Sequence, residues 1–311
     1  MTSLGGPAVA LVGATAAGKS ALAHRLALES GEIDVVSVDA MCVYRGMDIA
    51  TAKPTPSERA EVPYHLLDLV EPSEEFTVAQ FQRDARVVTD DIWSAGRRAL
   101  FVGGTGLYGR AVLDDLDIPG RYPEVRGPLE ERAVSDLDAL YDELEAHDPV
   151  AASRIERTNE RRIVRALEVT LGAGRPFSSY GVGLTTYGPV RVIQIGLEVE
   201  SEVLDERIEH RFHRWMEYGL LDEVASLIER PGGLGRTARQ AVGYRQLLAH
   251  LEEGAPLDEC VRDAITQSRR LARRQRSWFH RDPRVEWFQN SDDAASRLIE
   301  VLSDADRFVR D

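Results

Sequence analysis

Along the first third of the chain, short unbroken apolar runs alternate with longer amphipathic stretches. Ala8-Val9-Ala10-Leu11-Val12 is one such run, Ile33-Asp34-Val35-Val36-Ser37-Val38-Asp39 a second, and Ala99-Leu100-Phe101-Val102-Gly103-Gly104-Thr105 a third. Runs of this length, ending in glycine or a carboxylate, predict strands buried on both faces, as in a parallel sheet. Between them, Ala21 to Leu28 and Val78 to Trp93 have helical character. Strand and helix alternate over residues 1 to about 118, which predicts an α/β core with helices on both faces of the sheet.

The texture changes at Pro119. Pro119, Gly120, Pro123, Gly127 and Pro128 lie close together, charged helical sequence continues to about Leu171, and a glycine-rich segment from Gly172 to Pro189 closes it. Residues 119–189 are therefore expected to form a mostly helical insertion on flexible joints, leaving 1–118 and 190–311 as the core. Val190 to Leu197 predicts a strand returning to that core, followed by helices near 201–229, 236–252 and 256–279. Ligands of such sheets gather beyond the carboxyl ends of the strands, so Ser20, Asp39 and Thr105 are expected to share one crevice.

Composition narrows the function classes. A chain of 311 residues accommodates one large domain with an insertion, and 43% hydrophobic with 29% charged residues is ordinary for a globular protein. No window approaches about 18 uninterrupted apolar residues, and Met1 to Gly6 has no basic flank or long apolar segment, so no membrane contact and a cytoplasmic location are expected. Cys42 and Cys260 are the only cysteines, which excludes a cysteine-built zinc site and disfavours a structural disulfide. The net charge of −14 argues against a generic nucleic-acid coat. Arginine is nevertheless clustered: Arg154, Arg157, Arg161, Arg162 and Arg165 form one group, and Arg269, Arg270, Arg273, Arg274 and Arg276 another. Each group is either a local basic face or a solvated face paired with carboxylates.

Candidate chemistry begins at Gly13-Ala14-Thr15-Ala16-Ala17-Gly18-Lys19-Ser20, which fits G-x-x-x-x-G-K-[ST] without mismatch between a predicted strand and a predicted helix. Such a loop turns backbone N–H groups around a phosphate at a helix N-terminus. Lys19 would neutralise phosphate oxygens and the Ser20 hydroxyl would ligate a magnesium ion. The expected fold is therefore a P-loop NTPase-like α/β sheet. The strand ending at Gly103-Gly104-Thr105 lacks a terminal carboxylate of the kind that holds magnesium in P-loop NTPases, which weakens ATPase and kinase readings. Asp39 would bind metal, take a proton from a nucleophile, or cap the next helix.

The run Tyr44-Arg45-Gly46-Met47-Asp48-Ile49-Ala50-Thr51-Ala52-Lys53-Pro54, read with the P-loop, resembles the signature of the tRNA dimethylallyltransferases, also called tRNA isopentenyltransferases. The resemblance continues through Pro63 to Asp68, Glu71-Pro72-Ser73, Val102 to Tyr108, Asp148-Pro149, Arg162 to Glu168, Ala241 to Gln246, and Arg269 to Phe279, and so covers nearly the whole chain in order. It implies transfer of a dimethylallyl group from dimethylallyl diphosphate to the exocyclic amine of the adenosine just 3′ of the anticodon. It also implies roles. Asp39 matches the general base, Thr105 the hydroxyl beside it and the diphosphate, and Arg211 an arginine that clamps the diphosphate. By spacing alone Arg211 would read as a solvated helix charge. Arg161 and Arg165 on the insertion, with Arg270, Arg273, Arg274 and Trp278 near the C-terminus, are the candidates for the anticodon stem-loop. A monomer is expected.

Ala40, Cys42, Ala50 and Tyr64 depart from residues common in the family, which leaves acceptor preference open. Three alternatives stand beside the leading reading: a prenyltransferase of free adenine nucleotides, a P-loop small-molecule kinase, and a non-enzymatic RNA clamp.

Overall fold

The computed structural model describes residues 8–181, 186–188 and 192–303. The N-terminal stretch Met1 to Gly6, Gly183, and Pro189 to Arg191, all invoked above, lie outside the described residues. Two compact units emerge, Met1–Asp115 with Pro189–Asp311, and Leu116–Gly188.

In the larger unit, six parallel strands form one sheet in the order β3-β2-β4-β1-β5-β6. They are β1 (Ala8–Gly13), β2 (Ile33–Ser37), β3 (Tyr64–His65), β4 (Arg98–Gly103), β5 (Val192–Leu197) and β6 (Val285–Phe288). The central strands carry the apolar runs of the sequence, and Val9, Leu11, Val36, Leu100, Phe101 and Ile195 are all buried. Burying one such side chain contributes roughly 1.5–3 kcal/mol, so these strands anchor the unit. Val12 of β1 pairs with Gly103 of β4, and Ser37 of β2 with Val102, which brings the carboxyl ends of three strands level.

Helices cover both faces. They are α1 (Lys19–Ser30), α2 (Pro56–Glu61), α3 (Val78–Ser94), α4 (Gly106–Leu113), then α9 (Ser201–Glu217), α10 (Leu220–Glu229), α11 (Tyr244–Glu253), α12 (Leu257–His280) and α13 (Ser291–Ser303), numbered with α5–α8 of the other unit. Thr55 and Thr77 cap α2 and α3 through complete capping boxes with Glu58 and Gln80. No described helix is long and apolar enough to cross a membrane.

The structure differs from the sequence expectation in the second half. The helix expected over 201–229 is two helices, because Gly219 takes a left-handed φ of 89° between α9 and α10. The helix expected from 236 starts only at Tyr244, after a short 3-10 turn over Ala238–Gln240. In the first half α2, β3 and α4 had no expectation, and in the second β6 and α13 had none. The edge strand β3 has two residues and β6 four, too short for alternation to register.

The smaller unit is helical: α5 (Pro123–Ser135), α6 (Leu137–His147), α7 (Pro149–Ala152) and α8 (Glu160–Ala173). Its own core is built on Leu140, Leu144, Ile163 and Leu167, all fully buried. Glu168 is buried beside that core. Burial opposes its charge, but the Tyr122 N–H at 2.9 Å and the guanidiniums of Arg165 and Arg126 at 2.9 and 3.0 Å hold its pKa below the usual range. A buried carboxylate is tolerated when it is paired in this way.

Candidate active site

The P-loop spans the gap between β1 and α1. Gly13 has a φ of 142°, and a Cβ there would lie 2.9 Å from the carbonyl oxygen of Leu197, its partner on β5, so glycine is required where the loop leaves the sheet. Gly18 caps α1 with a φ of 100° and no side-chain hydrogen bond, which leaves the first-turn N–H groups of α1 without a side-chain acceptor. Ala16 is held at a φ of 65°, a region that residues with a Cβ enter at a cost.

Two cations converge on this loop. Lys19 is buried, and its Nζ donates to the Ala14 carbonyl at 2.7 Å. Its pKa falls to about 8, first because burial penalises the ammonium and second because Arg211 lies near; the Asp39 charge acts the other way. Arg211, projecting from α9, donates from Nη2 to the Thr15 hydroxyl at 2.8 Å and stacks over Trp215 with 4.6 Å to the ring centroid. Burial lowers its pKa to about 10. Its Nε is buried and finds no acceptor among the described residues. An unmet guanidinium N–H beside a buried lysine is an anion site by charge and by hydrogen-bonding capacity.

The opposite wall is anionic. Asp39 lies two residues past β2, and its Oδ1 accepts the Met41 N–H at 2.8 Å. Its other oxygen accepts no hydrogen bond from the described residues. Thr105 stands two residues past β4; its N–H donates to the Val38 carbonyl at 3.4 Å and its hydroxyl accepts the Ala40 N–H at 3.2 Å. Asp39 and Thr105 are thus tied together through the backbone of Ala40. The close approach of β2 and β4 requires Gly103, where a Cβ would strike the Val38 carbonyl. The Ser20 hydroxyl is on the exposed side of α1, next to Lys19.

The run after Asp39 is held by a buried lysine. Lys53 Nζ donates to the Tyr44 carbonyl at 2.5 Å, to Asp48 at 2.7 Å and to Asp68 at 2.6 Å, while Arg59 donates to the other oxygen of Asp68 at 2.6 Å. On the far side, Glu223 of α10 accepts the N–H groups of Asp48 and Ile49 and the Tyr244 hydroxyl. Cys42 is buried with its Sγ 3.6 Å from the Thr51 carbonyl. Burial, then the Asp39 charge, pushes its thiol well above the usual range, so it stays a neutral packing group. Tyr64 bonds His24 at 2.9 Å, and His65 bonds the buried Asp34 at 2.8 Å; both are structural partners on the sheet edge.

The arginines divide by environment. Arg161, Arg270 and Arg274 are exposed, without an ion-pair partner among the described residues. Arg273 is 62% exposed and reaches Asp205 at 2.8 Å. Arg165 is committed to Glu168 and to the Pro119 carbonyl, at 2.9 Å each. Trp278 packs half-buried against the core, with its indole directly over Gly106. Sequence reasoning did not single out Gln275, whose Oε1 accepts the Thr15 N–H at 2.8 Å, or Trp215 beneath Arg211. Gln275 meets the P-loop from a helix far away in sequence, a pairing that no local spacing reports, whereas Trp215 lies four residues past Arg211 on α9, a spacing that puts the two on one helix face.

Similarity to known proteins extends over nearly the whole chain. The sequence profile of the family described as IPP transferase matches residues 42–282. A tRNA dimethylallyltransferase of Kineococcus radiotolerans is 47% identical over 95% of this chain and 96% of its own. A tRNA dimethylallyltransferase of Kocuria rhizophila is 48% identical over 92% of this chain and 90% of its own. The crystal structure of the full-length tRNA isopentenylpyrophosphate transferase from Bacillus halodurans superposes with a TM-score of 0.68 at 34% identity, over 97% of this chain and 98% of that one. A eukaryotic dimethylallyltransferase acting on tRNA shares the fold, with a TM-score of 0.78 at 24% identity over 96% of this chain and 78% of that one.

Proposed function

Because the chain belongs to the IPP transferase family, we propose that it transfers the dimethylallyl group of dimethylallyl diphosphate to the exocyclic N6 amine of the adenosine 3′-adjacent to the anticodon in tRNA, releasing pyrophosphate. The observation that carries this reading is the pairing of buried Lys19 with Arg211, whose Nε is unmet, across a P-loop whose neighbouring strand β4 ends without a carboxylate. Two such cations hold a leaving group; hydrolysis of a nucleotide would call for a carboxylate that places metal and water.

The chemistry balances as one substitution. The C1–O bond of the allylic diphosphate breaks, its electron pair leaves with pyrophosphate, and the adenine N6 lone pair forms the new N–C bond. Lys19 and Arg211 meet the charge that develops on the departing oxygen. The N6 proton passes to Asp39, whose open carboxylate oxygen is the acceptor. Thr105 fixes the backbone of Ala40 and so the direction in which Asp39 presents that oxygen.

A magnesium ion fits here as a shared ligand. Ser20 is exposed at the start of α1 beside the P-loop, and a magnesium ion at such a place is held chiefly by substrate phosphates and water. The Ser20 hydroxyl would hold it, and it would supply further charge neutralisation to the pyrophosphate.

For the RNA, we assign Arg161 on the helical unit and Arg270, Arg273 and Arg274 on α12 to phosphate contact with the anticodon stem-loop. Arg165 and Trp278 are engaged in packing and serve that surface through stability. The enzyme acts as a cytoplasmic monomer.

The test is direct. Purified protein with dimethylallyl diphosphate, magnesium and total tRNA should yield isopentenyladenosine by nucleoside mass spectrometry, and Asp39→Asn should lower the rate by roughly 10²–10⁴-fold. Absence of the product across several tRNA preparations, or its formation on free adenine nucleotides instead, overturns the proposal.

A further inference from the structure

Gln275 joins parts of the site that the reaction itself leaves separate. It projects from α12, directly after Arg273 and Arg274 and little more than one turn beyond Arg270. Its Oε1 accepts the Thr15 N–H at 2.8 Å, a contact between positions 260 residues apart. Its Nε2 stands 2.5 Å from where a Cβ on Gly104 would lie, so the amide fills the notch between the P-loop and the turn that carries Thr105.

The same threonine is gripped a second time. Its hydroxyl accepts from Arg211 of α9 at 2.8 Å, while its N–H belongs to Gln275 of α12. The two helices are themselves tied, since Arg273 reaches Asp205 at 2.8 Å and Arg269 reaches Glu209 at 2.6 Å. Displacing α12 therefore moves the loop that holds the diphosphate. The outer face of α12 presents arginines to solvent, and its inner face holds a P-loop amide.

We propose that Gln275 is a positioning residue that couples RNA contact on the outer face of α12 to diphosphate binding in the P-loop. RNA phosphates fix α12 through Arg270, Arg273 and Arg274. Gln275 then holds the Thr15 amide, and the diphosphate meets a cradle already in shape, so less ordering is left for binding to offset. Coupling of this kind is reciprocal: the diphosphate tightens RNA by the same factor. The proposal rests on the prenyl-transfer reading for the identity of both ligands.

The experiment is calorimetric titration of the full-length protein with inorganic pyrophosphate and magnesium, with and without a synthetic anticodon stem-loop RNA, under which no transfer occurs. In the native enzyme the RNA should tighten pyrophosphate by at least about fivefold. In Gln275→Met, which keeps the bulk against Gly104 and lacks the acceptor, that ratio should fall to near one. In Gln275→Glu, which keeps an acceptor oxygen at the same reach, the ratio should persist even if a carboxylate weakens pyrophosphate uniformly. A merely structural Gln275 would lower affinity in both titrations and leave the ratio unchanged, which overturns the proposal, as does a native ratio of one. Should the Met variant not fold, amide exchange at Thr15 in the native enzyme decides: RNA alone should slow it at least about fivefold, and an unchanged rate sinks the idea. Formation of isopentenyladenosine by the native enzyme separates failure of the coupling from failure of the function.

Discussion

Lys19 shows how one buried residue serves binding at the expense of stability. Folding lowers its pKa from 10.5 to about 8, chiefly by burial and then by Arg211. Between those values the unfolded chain binds more protons than the folded one, so Lys19's contribution to stability rises with pH across that window, by an amount on the order of 3 kcal/mol at most. Diphosphate binding should move the opposite way, because the site needs the ammonium. We expect kcat/KM for the diphosphate to fall above about pH 8 while the denaturant midpoint gains a favourable increment, and Lys19→Met to abolish both dependences. Arg211 is a sharper case of geometry. Arg211→Lys keeps a cation but loses the fork that serves Thr15 and the unmet Nε direction together. The KM for dimethylallyl diphosphate should rise roughly 10–100-fold in steady-state assays; an unchanged KM would remove Arg211 from the site.

Among the elements, the loop from Tyr44 to Lys53 owes its shape to Lys53. Its ammonium, 1% exposed, satisfies the Tyr44 carbonyl and two carboxylates. Lys53→Met would leave the inner oxygen of Asp68 unmet and the Tyr44 carbonyl with the weaker Met47 N–H at 3.4 Å, costing about 1–3 kcal/mol by chemical denaturation. Because this loop adjoins Asp39, kcat should drop along with stability. Local spacing made the strand, glycine loop and helix of the P-loop legible from sequence, since each of its requirements lies within a few residues. The carboxyl-end placement of Asp39 and Thr105 was legible for the same reason: parallel strands align their ends. The Lys53 clamp was visible only as an unusual run of residues, because its partner Asp68 is supplied by another segment. Arg211 could be picked out by family resemblance, whereas periodicity gave it the ordinary role of a surface charge. Gln275 meeting Thr15 depends on how helices pack after the sheet has formed, and no periodicity encodes it; the break at Gly219 is a local glycine signal that the apolar periodicity running through it masked.

Over the whole molecule, the net charge of −14 means that RNA must be drawn to a few uncompensated arginines against a repulsive background. The two clusters seen in the sequence do not act as units. Arg157, Arg165, Arg269 and Arg276 are each paired with acidic side chains, which leaves them less to offer a phosphate, whereas Arg273 reaches Asp205 through Nη2 and is 62% exposed, so the rest of its fork faces solvent. Arg270 and Arg274 are exposed and unpaired among the described residues. Arg270→Ala with Arg274→Ala should therefore weaken every tRNA to a similar extent and reduce the slope of log affinity against log salt by about 1–2, each lost phosphate contact removing roughly 0.7–0.9. Arg165→Ala should do the reverse, leaving the slope unchanged and lowering the denaturant midpoint, because Glu168 stays buried with only Arg126 and the Tyr122 N–H to meet it. Filter-binding titrations across salt, run beside urea unfolding, separate the two classes. A salt slope that responds to Arg165 and ignores Arg270 and Arg274 would move the RNA path to the helical unit alone.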